Sequence, residues 1–419
     1  MYAKYQTKLI QKVTVWGRIL AALTWLLGTF CYYAPTAQAE PARDIVLQWE
    51  KLMGAEKEDR GICAQSTDDG GYIIAGETQS YYMWGHGGYD WYLAKLDSDG
   101  RMKWRKTIGN LKDNRVVSVT QTADKGYIII GSTEAPFARK DHDAYLVKTD
   151  AAGKMQWQRT YGGTGEDTGT SAQQTADGGC IITGKTSSFG AGDTDVYLIK
   201  TSATGLKLWQ KTFGGKEADA GVSVRQTTDG GYIIAGETFS SVTGDYNIYL
   251  IKTDPNGNQV WAKTFGGLNW DTATDVLQTE DEGYIVLGQT FSSQTGQDIY
   301  LIKTNANGEK QWEKTLGGAN WDVGKSVKPT SAGGYMIAGW TDPNGYGQND
   351  FYMAETDPAG TTIWENTLEN DNFDSRFSIQ PAGEDAYIIT GWWEELLKNQ
   401  EVKNDGCQIY TAVVRVEQP

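Results

Sequence analysis

Residues 221–267 read GVSVRQTTDGGYIIAGETFSSVTGDYNIYLIKTDPNGNQVWAKTFGG. Four short runs rich in β-branched and aromatic residues alternate with turn chemistry, which predicts four strands. They fall at residues 222–226, 232–238, 248–253 and 259–265. Between the third and fourth, Asp254-Pro255-Asn256-Gly257 is a tight turn. Proline presets the first central φ there and glycine accepts a positive φ. No segment carries a helical period.

This stretch is one of seven copies, repeating about every 52 residues. A tryptophan recurs at Trp49, Trp104, Trp157, Trp209, Trp261, Trp312 and Trp364. A Tyr-Ile-Ile-like triplet starts at Tyr72, Tyr127, Cys180, Tyr232, Tyr284, Tyr335 and Tyr387, and a YLIK-like motif follows each. A sheet of four such strands is apolar on both faces, so it must stack on neighbours. Seven four-stranded antiparallel blades around an axis form an all-β seven-bladed β-propeller, with tyrosine and tryptophan as inter-blade wedges. Loss of one wedge, as in Trp209→Ala, is expected to cost roughly 3–5 kcal/mol. Trp49 precedes every triplet and the last copy lacks a tryptophan, so residues 45–52 supply the fourth strand of the seventh blade. That pairing leaves no free edge.

Residues 1–39 stand outside the repeat. Lys4, Lys8, Lys12 and Arg18 precede the apolar run 19–33, and Ala37-Gln38-Ala39 offers a small-residue cleavage site. This pattern is that of a secretory signal peptide cleaved near Ala39, which implies a secreted or periplasmic protein. The formal net charge is −15, and the residues after 39 are more acidic still. Such a chain repels nucleic acid and anionic membranes. No other apolar run is long enough to span a bilayer. Three cysteines remain after the leader, Cys63, Cys180 and Cys407, an odd number that reads as small buried hydrophobes rather than a disulfide framework.

The string DGGYIIAGET, followed by YLIKTDPNG, Trp and KTFGG, resembles a family of secreted bacterial and archaeal β-propeller repeat proteins, over residues 45–416. The resemblance implies a fold and no particular activity. The segment DAAGKMQW, residues 150–157, is similar to the tryptophan-docking motif of quinoprotein propellers. The spacing of Tyr-Ile-Ile, DPNG and Trp is similar to kelch repeats, with the double glycine before the second strand rather than after it.

Positions that repeat build the scaffold, and positions that break the repeat are candidates for function. A ring position lies 13 residues before each triplet: Asp59, Asn114, Asp167, Asp219, Asp271, Asp322 and Asp374. It is read either as a turn acceptor for backbone N–H groups or as an acidic collar at the channel mouth. Strand direction puts the inter-blade loops and the loops between second and third strands on one variable face. There the first blade inserts residues 79–90, with Trp84 and His86, and the second inserts residues 135–142. The last blade inserts residues 394–406. Trp270, Trp321 and Phe373 precede ring aspartates, and Trp340 and Trp392 follow an Ala-Gly or Thr-Gly pair. The candidate ligand-binding set is therefore Trp84, His86, Trp270, Asp271, Trp321, Asp322, Trp340, Phe373, Asp374 and Trp392. Aromatic faces beside carboxylates suit sugar rings, or hot spots of a protein partner.

Catalytic and metal motifs are not visible. The two histidines, His86 and His142, lie in different blades without a nucleophile motif. The cysteines and histidines show no zinc spacing, and no cofactor is expected. The expected function is a non-enzymatic binding or scaffold protein, monomeric, that holds a glycan or an envelope or extracellular protein. The alternative is a polysaccharide hydrolase or lyase using carboxylates at the channel mouth. If the N-terminal strand closes the ring, deleting residues 40–56 should yield aggregation or a broad, non-cooperative melt. A soluble truncation with an unchanged calorimetric transition would contradict the closure.

Overall fold

The ring position begins the innermost strand of a blade, and the rest of the blade follows in order. In the computed structural model the fourth blade comprises Asp219–Gln226, Tyr232–Thr238, Asn247–Thr253 and Gln259–Phe265, antiparallel and in sequence order across the sheet. The described residues are 43–54, 58–79, 88–109, 113–134, 141–239, 244–291, 296–342, 345, 349–369, 377–393 and 408–417. They form seven such sheets and contain no helix, so none is long and apolar enough to cross a membrane. First strands of consecutive blades touch all round, including last to first, and so enclose the central channel.

The first strand starts at Asp219, three residues earlier than the alternation predicts. The register slips between Gly221 and Ser223 because Val222 is a β-bulge. A bulge breaks the period of two on which strand prediction rests. Asp219 is consequently a strand residue opposite Thr238, not a residue of the inter-blade loop.

Closure of the ring follows the sequence expectation. Asp44–Met53 pairs antiparallel with Gln408–Glu417, from Asp44 opposite Glu417 to Met53 opposite Ile409. Residues 43–418 accordingly fall in one compact unit.

Each blade buries both faces against its neighbours. Alternate side chains of a strand point to opposite sides. Ile234 packs with Ile181 and Leu198 of the third blade, while Ile233 packs with Val276 and Tyr284 of the fifth. All of these are buried. Cys63 and Cys180 are buried free thiols, as the sequence implied, and Cys407 lies outside the described residues. Burial raises the Cys63 thiol to about 12 and the Cys180 thiol to about 11, which keeps both unreactive.

The repeat tryptophan leaves the outer strand of one blade and lies on the next. Trp209 meets Tyr232 edge to face, with ring centroids 5.9 Å apart. Beneath the indole is Gly257, with φ of 75°. A Cβ at Gly257 would stand 2.6 Å from the Trp209 ring. The same glycine lies under Trp49, Trp104, Trp157, Trp261 and Trp312, as Gly100, Gly153, Gly205, Gly308 and Gly360. At the clasp, Trp364 Nε1 instead donates to the Arg43 carbonyl at 3.0 Å.

The Trp209 indole is only half-buried, so Trp209→Ala should fall at the bottom of the range for core tryptophans, about 3 kcal/mol. Gly257→Ala should cost about 2–4 kcal/mol, from left-handed strain plus overpacking against the indole. In the Trp209→Ala background that cost should shrink to about 1–2 kcal/mol, the backbone strain alone. Urea denaturation of the two single variants and the double variant measures the coupling. Strictly additive losses would mean that the indole does not rest on the glycine.

Candidate functional site

Several repeated polar positions prove to be scaffold. The ring residues Asp59, Asn114, Asp167, Asp219, Asp271 and Asp322 are all buried. Gly163, Gly215, Gly267 and Gly318 donate backbone N–H groups to Asp167, Asp219, Asp271 and Asp322 at 2.6–2.8 Å. Thr133 Oγ1 donates to Asn114 Oδ1 at 2.8 Å. Burial pushes the Asp271 and Asp322 carboxyls up, against the pull of hydrogen bonds from Thr290 and Thr341. These side chains cap turns rather than form an open collar. Asp374 lies outside the described residues.

A second repeated pair escaped the sequence reading. In the first five blades the lysine of the YLIK motif is buried and reaches the aspartate of the turn between its blade's first and second strands. Lys148, Lys200, Lys252 and Lys303 lie 2.8 Å from Asp124, Asp177, Asp229 and Asp281, and Lys95 lies 2.9 Å from Asp69. Each ammonium also donates to the next backbone carbonyl, as Lys200 does to Thr201 at 2.8 Å. The sixth blade replaces both partners: Ala332 stands at the aspartate position and Glu355 at the lysine position. Glu355 pairs with Arg43 of the clasp instead. That joint replacement is the signal that could have revealed the pair.

The variable face holds two aromatic assemblies, and they separate the candidate residues. At the first blade, the Arg115 guanidinium lies 4.3 Å from the Tyr89 ring centroid. Arg60 lies 5.0 Å from the Tyr89 centroid and 5.6 Å from that of Trp392. Arg115 is bound by Glu77 at 3.0 Å and by Asp113 at 2.9 Å, while Arg60 bonds Glu58 at 3.1 Å. Trp392 is only 9% exposed, and the Arg60 guanidinium over its ring ties it to this ion-paired cluster. Trp84, His86 and Phe373 lie outside the described residues.

The second assembly spans two junctions, that of the fourth blade with the fifth and that of the fifth with the sixth. Trp270 and Trp321 are 53% and 55% exposed. Trp270 stands edge-on to Tyr246 at 5.6 Å, and Trp321 edge-on to Phe291 at 6.4 Å. Trp321 and Trp340 line one open cavity of about 810 Å³, whereas Trp270 does not. Gln289, Gln297, Asn320, Asn349, Lys325 and Asp342 form the polar part of its wall. Trp340 is 5% exposed, and its Nε1–H has no partner among the described residues. Gln297 Nε2 donates to Gln289 Oε1 at 3.0 Å. The wall thus presents an open indole face, several amides and two charged side chains. These amides come from one strand and three loops of two blades, so no single sequence window contains them.

Among the described residues no group of three or more His, Cys, Asp or Glu side chains is arranged to hold a metal ion.

No family model matches the chain, and no curated protein matches it. Solved structures do resemble it. A protein of unknown function from Dyadobacter fermentans DSM 18053 is 8% identical at a TM-score of 0.50, covering 89% of this chain and 99% of that one. The BBS1N chain of a complex with ARL6DN is 6% identical at a TM-score of 0.51, covering 90% and 98%. A puromycin hydrolase is 11% identical at a TM-score of 0.50, and the match covers 81% of this chain but 51% of the hydrolase. At such identities the likeness concerns the propeller fold alone.

The lysine–aspartate pairs set an acid limit. Burial alone would raise Asp124, Asp177 and Asp229, but the lysine and threonine bonds outweigh it and bring each carboxyl to about 2. A depressed folded value stabilises the fold above the unfolded value of 3.8, and that stability is lost as pH falls towards about 2. The melting temperature should therefore drop between about pH 4 and pH 2. Lys200→Met should flatten that drop, since the Asp177 carboxyl then loses its cation. A pH profile for Lys200→Met parallel to that of the wild type would show the pair to be inert.

Proposed function

We propose that the protein is a non-catalytic binding propeller that holds a glycan in the Trp321/Trp340 cavity on its variable face. The observation carrying this reading is the conjunction within one cavity of the exposed Trp321 face and four amide side chains. Sugars offer C–H faces to an aromatic plane and hydroxyls to amides, and binding sites combine apolar walls with a few placed polar groups. Opening the cavity to one side leaves room for a chain of sugars to continue across the face. The leader-like residues 1–39 support a place of action outside the cytoplasm, where extracellular and envelope glycans occur.

A glycan array and subsequent calorimetry on the protein lacking residues 1–39 test the reading. Trp321→Ala should weaken binding at least about tenfold, a loss of about 1.4 kcal/mol, with the melting temperature little changed. Trp270→Ala should leave binding unchanged, because Trp270 does not line the cavity. Undiminished binding in Trp321→Ala, an empty array, or release of products from an oligosaccharide by the wild type would each contradict the proposal.

A further inference from the structure

One bulge recurs in the innermost strands of the first six blades. The register slips between Gly61 and Cys63, Val116 and Ser118, Gly169 and Ser171, Gly221 and Ser223, Ala273 and Asp275, and Gly324 and Ser326. The skipped residues are Ile62, Val117, Thr170, Val222, Thr274 and Lys325. A bulge re-aims a side chain out of the ladder, and here all six line the central channel, a cavity of about 640 Å³. Five of them are uncharged, and the sixth is a lysine.

Lys325 occupies a junction. It lines the central channel and also the Trp321/Trp340 cavity. Its ammonium forms no ion pair or hydrogen bond with any described residue. That sets it apart from the buried lysines of the YLIK motif, each of which holds an aspartate. Among the described residues, the other cation of the channel wall is matched as well. Arg225 Nη2 lies 3.1 Å from Asp275 Oδ1, which also accepts a hydrogen bond from Ser223. Asp342, the carboxylate of the Trp321/Trp340 cavity, accepts the Gly345 N–H at 2.9 Å. Burial pulls the Lys325 ammonium below its ordinary pKa, and no neighbouring charge opposes that shift. A half-buried cation without a counter-ion among the described residues is costly, and a ligand that supplies the anion recovers the difference.

We propose, building on the glycan reading above, that the cavity selects an acidic saccharide whose single anionic group seats on Lys325 while its ring lies against Trp321. One ammonium matches one negative charge. In a chain of net charge −15 a multiply charged group would meet uncompensated repulsion. The group is therefore a uronic-acid carboxylate or a sulfate half-ester.

An array of oligosaccharides in matched sets, uronate-bearing, sulfated and neutral, is probed with four proteins. These are the wild type, Lys325→Met, Lys325→Arg and Trp321→Ala, each lacking residues 1–39 and each checked for an unchanged melting temperature. The wild type should prefer an acidic set over its neutral match by at least about tenfold. The set that binds, uronate or sulfate, identifies the anion. Lys325→Met should abolish that preference without weakening neutral binding, and Lys325→Arg should restore most of it. Trp321→Ala should weaken both sets. Equal binding of acidic and neutral sets, with Lys325→Met behaving as the wild type, would overturn the assignment of Lys325 and leave the glycan reading standing. Binding to none of the sets would overturn both.

Discussion

An indole laid over a glycine turn of the next blade is the contact on which this structure depends. A single four-stranded sheet of this sequence has apolar side chains on both faces and cannot bury them alone. Trp209 solves the problem locally by crossing to Tyr232 and Gly257 of the following blade. The glycine is required twice over, by its positive φ and by the absence of room for a Cβ. Repetition of that contact sets one blade against the next until the ring returns to its start. There the clasp strand supplies Trp49, whose Nε1 donates to Ser98 of the first blade at 3.1 Å. Closure thus follows from the same local chemistry that joins neighbouring blades.

Once the regular positions are committed to the scaffold, function is left to the departures. The repeated bulge illustrates the division. Its backbone geometry belongs to the fold, since it recurs in six blades, but its side chain is free to vary because it projects into the channel. Five blades use Ile, Val or Thr there, and the sixth places Lys325 where channel and lateral cavity meet. The sixth blade, like the seventh with Glu384 and Val413, gives up the lysine–aspartate pair, and it also carries Trp321 and Trp340. Of its departures, Trp321, Trp340 and Lys325 line one cavity.

The fold was legible because its signals are local and repeated. Strands such as Tyr232–Thr238 and Gln259–Phe265 and the clasp strand were readable from β-type runs, turn residues and the order of three motifs. The ring aspartates allow two readings from sequence, turn acceptor or acidic collar, and their buried carboxylates bond glycine N–H groups. What stayed hidden depends on distance or depth. The pairing of Lys200 with Asp177 joins residues far apart in the chain, and neither motif alone announces it. Trp340 and Trp392 resembled Trp270 and Trp321 as sequence departures, yet the former pair is buried and the latter exposed. Alternation could not make that distinction. Lys325 was invisible because the bulge shifts the register on which a reading of strand faces relies.

The central claim is that the blades stand or fall as one closed ring, and residue-resolved amide hydrogen exchange on the wild type tests it most directly. Linear arrays of repeats open piecewise, whereas a ring locked by wedges and a clasp should open as a unit. The account predicts that the amides of Ile181, Ile233, Ile285 and Ile388, on second strands of four different blades, exchange with one common opening free energy. It would be contradicted if Ile388, in the blade completed by the clasp, exchanged about a hundredfold faster than the others, a gap of about 2.8 kcal/mol.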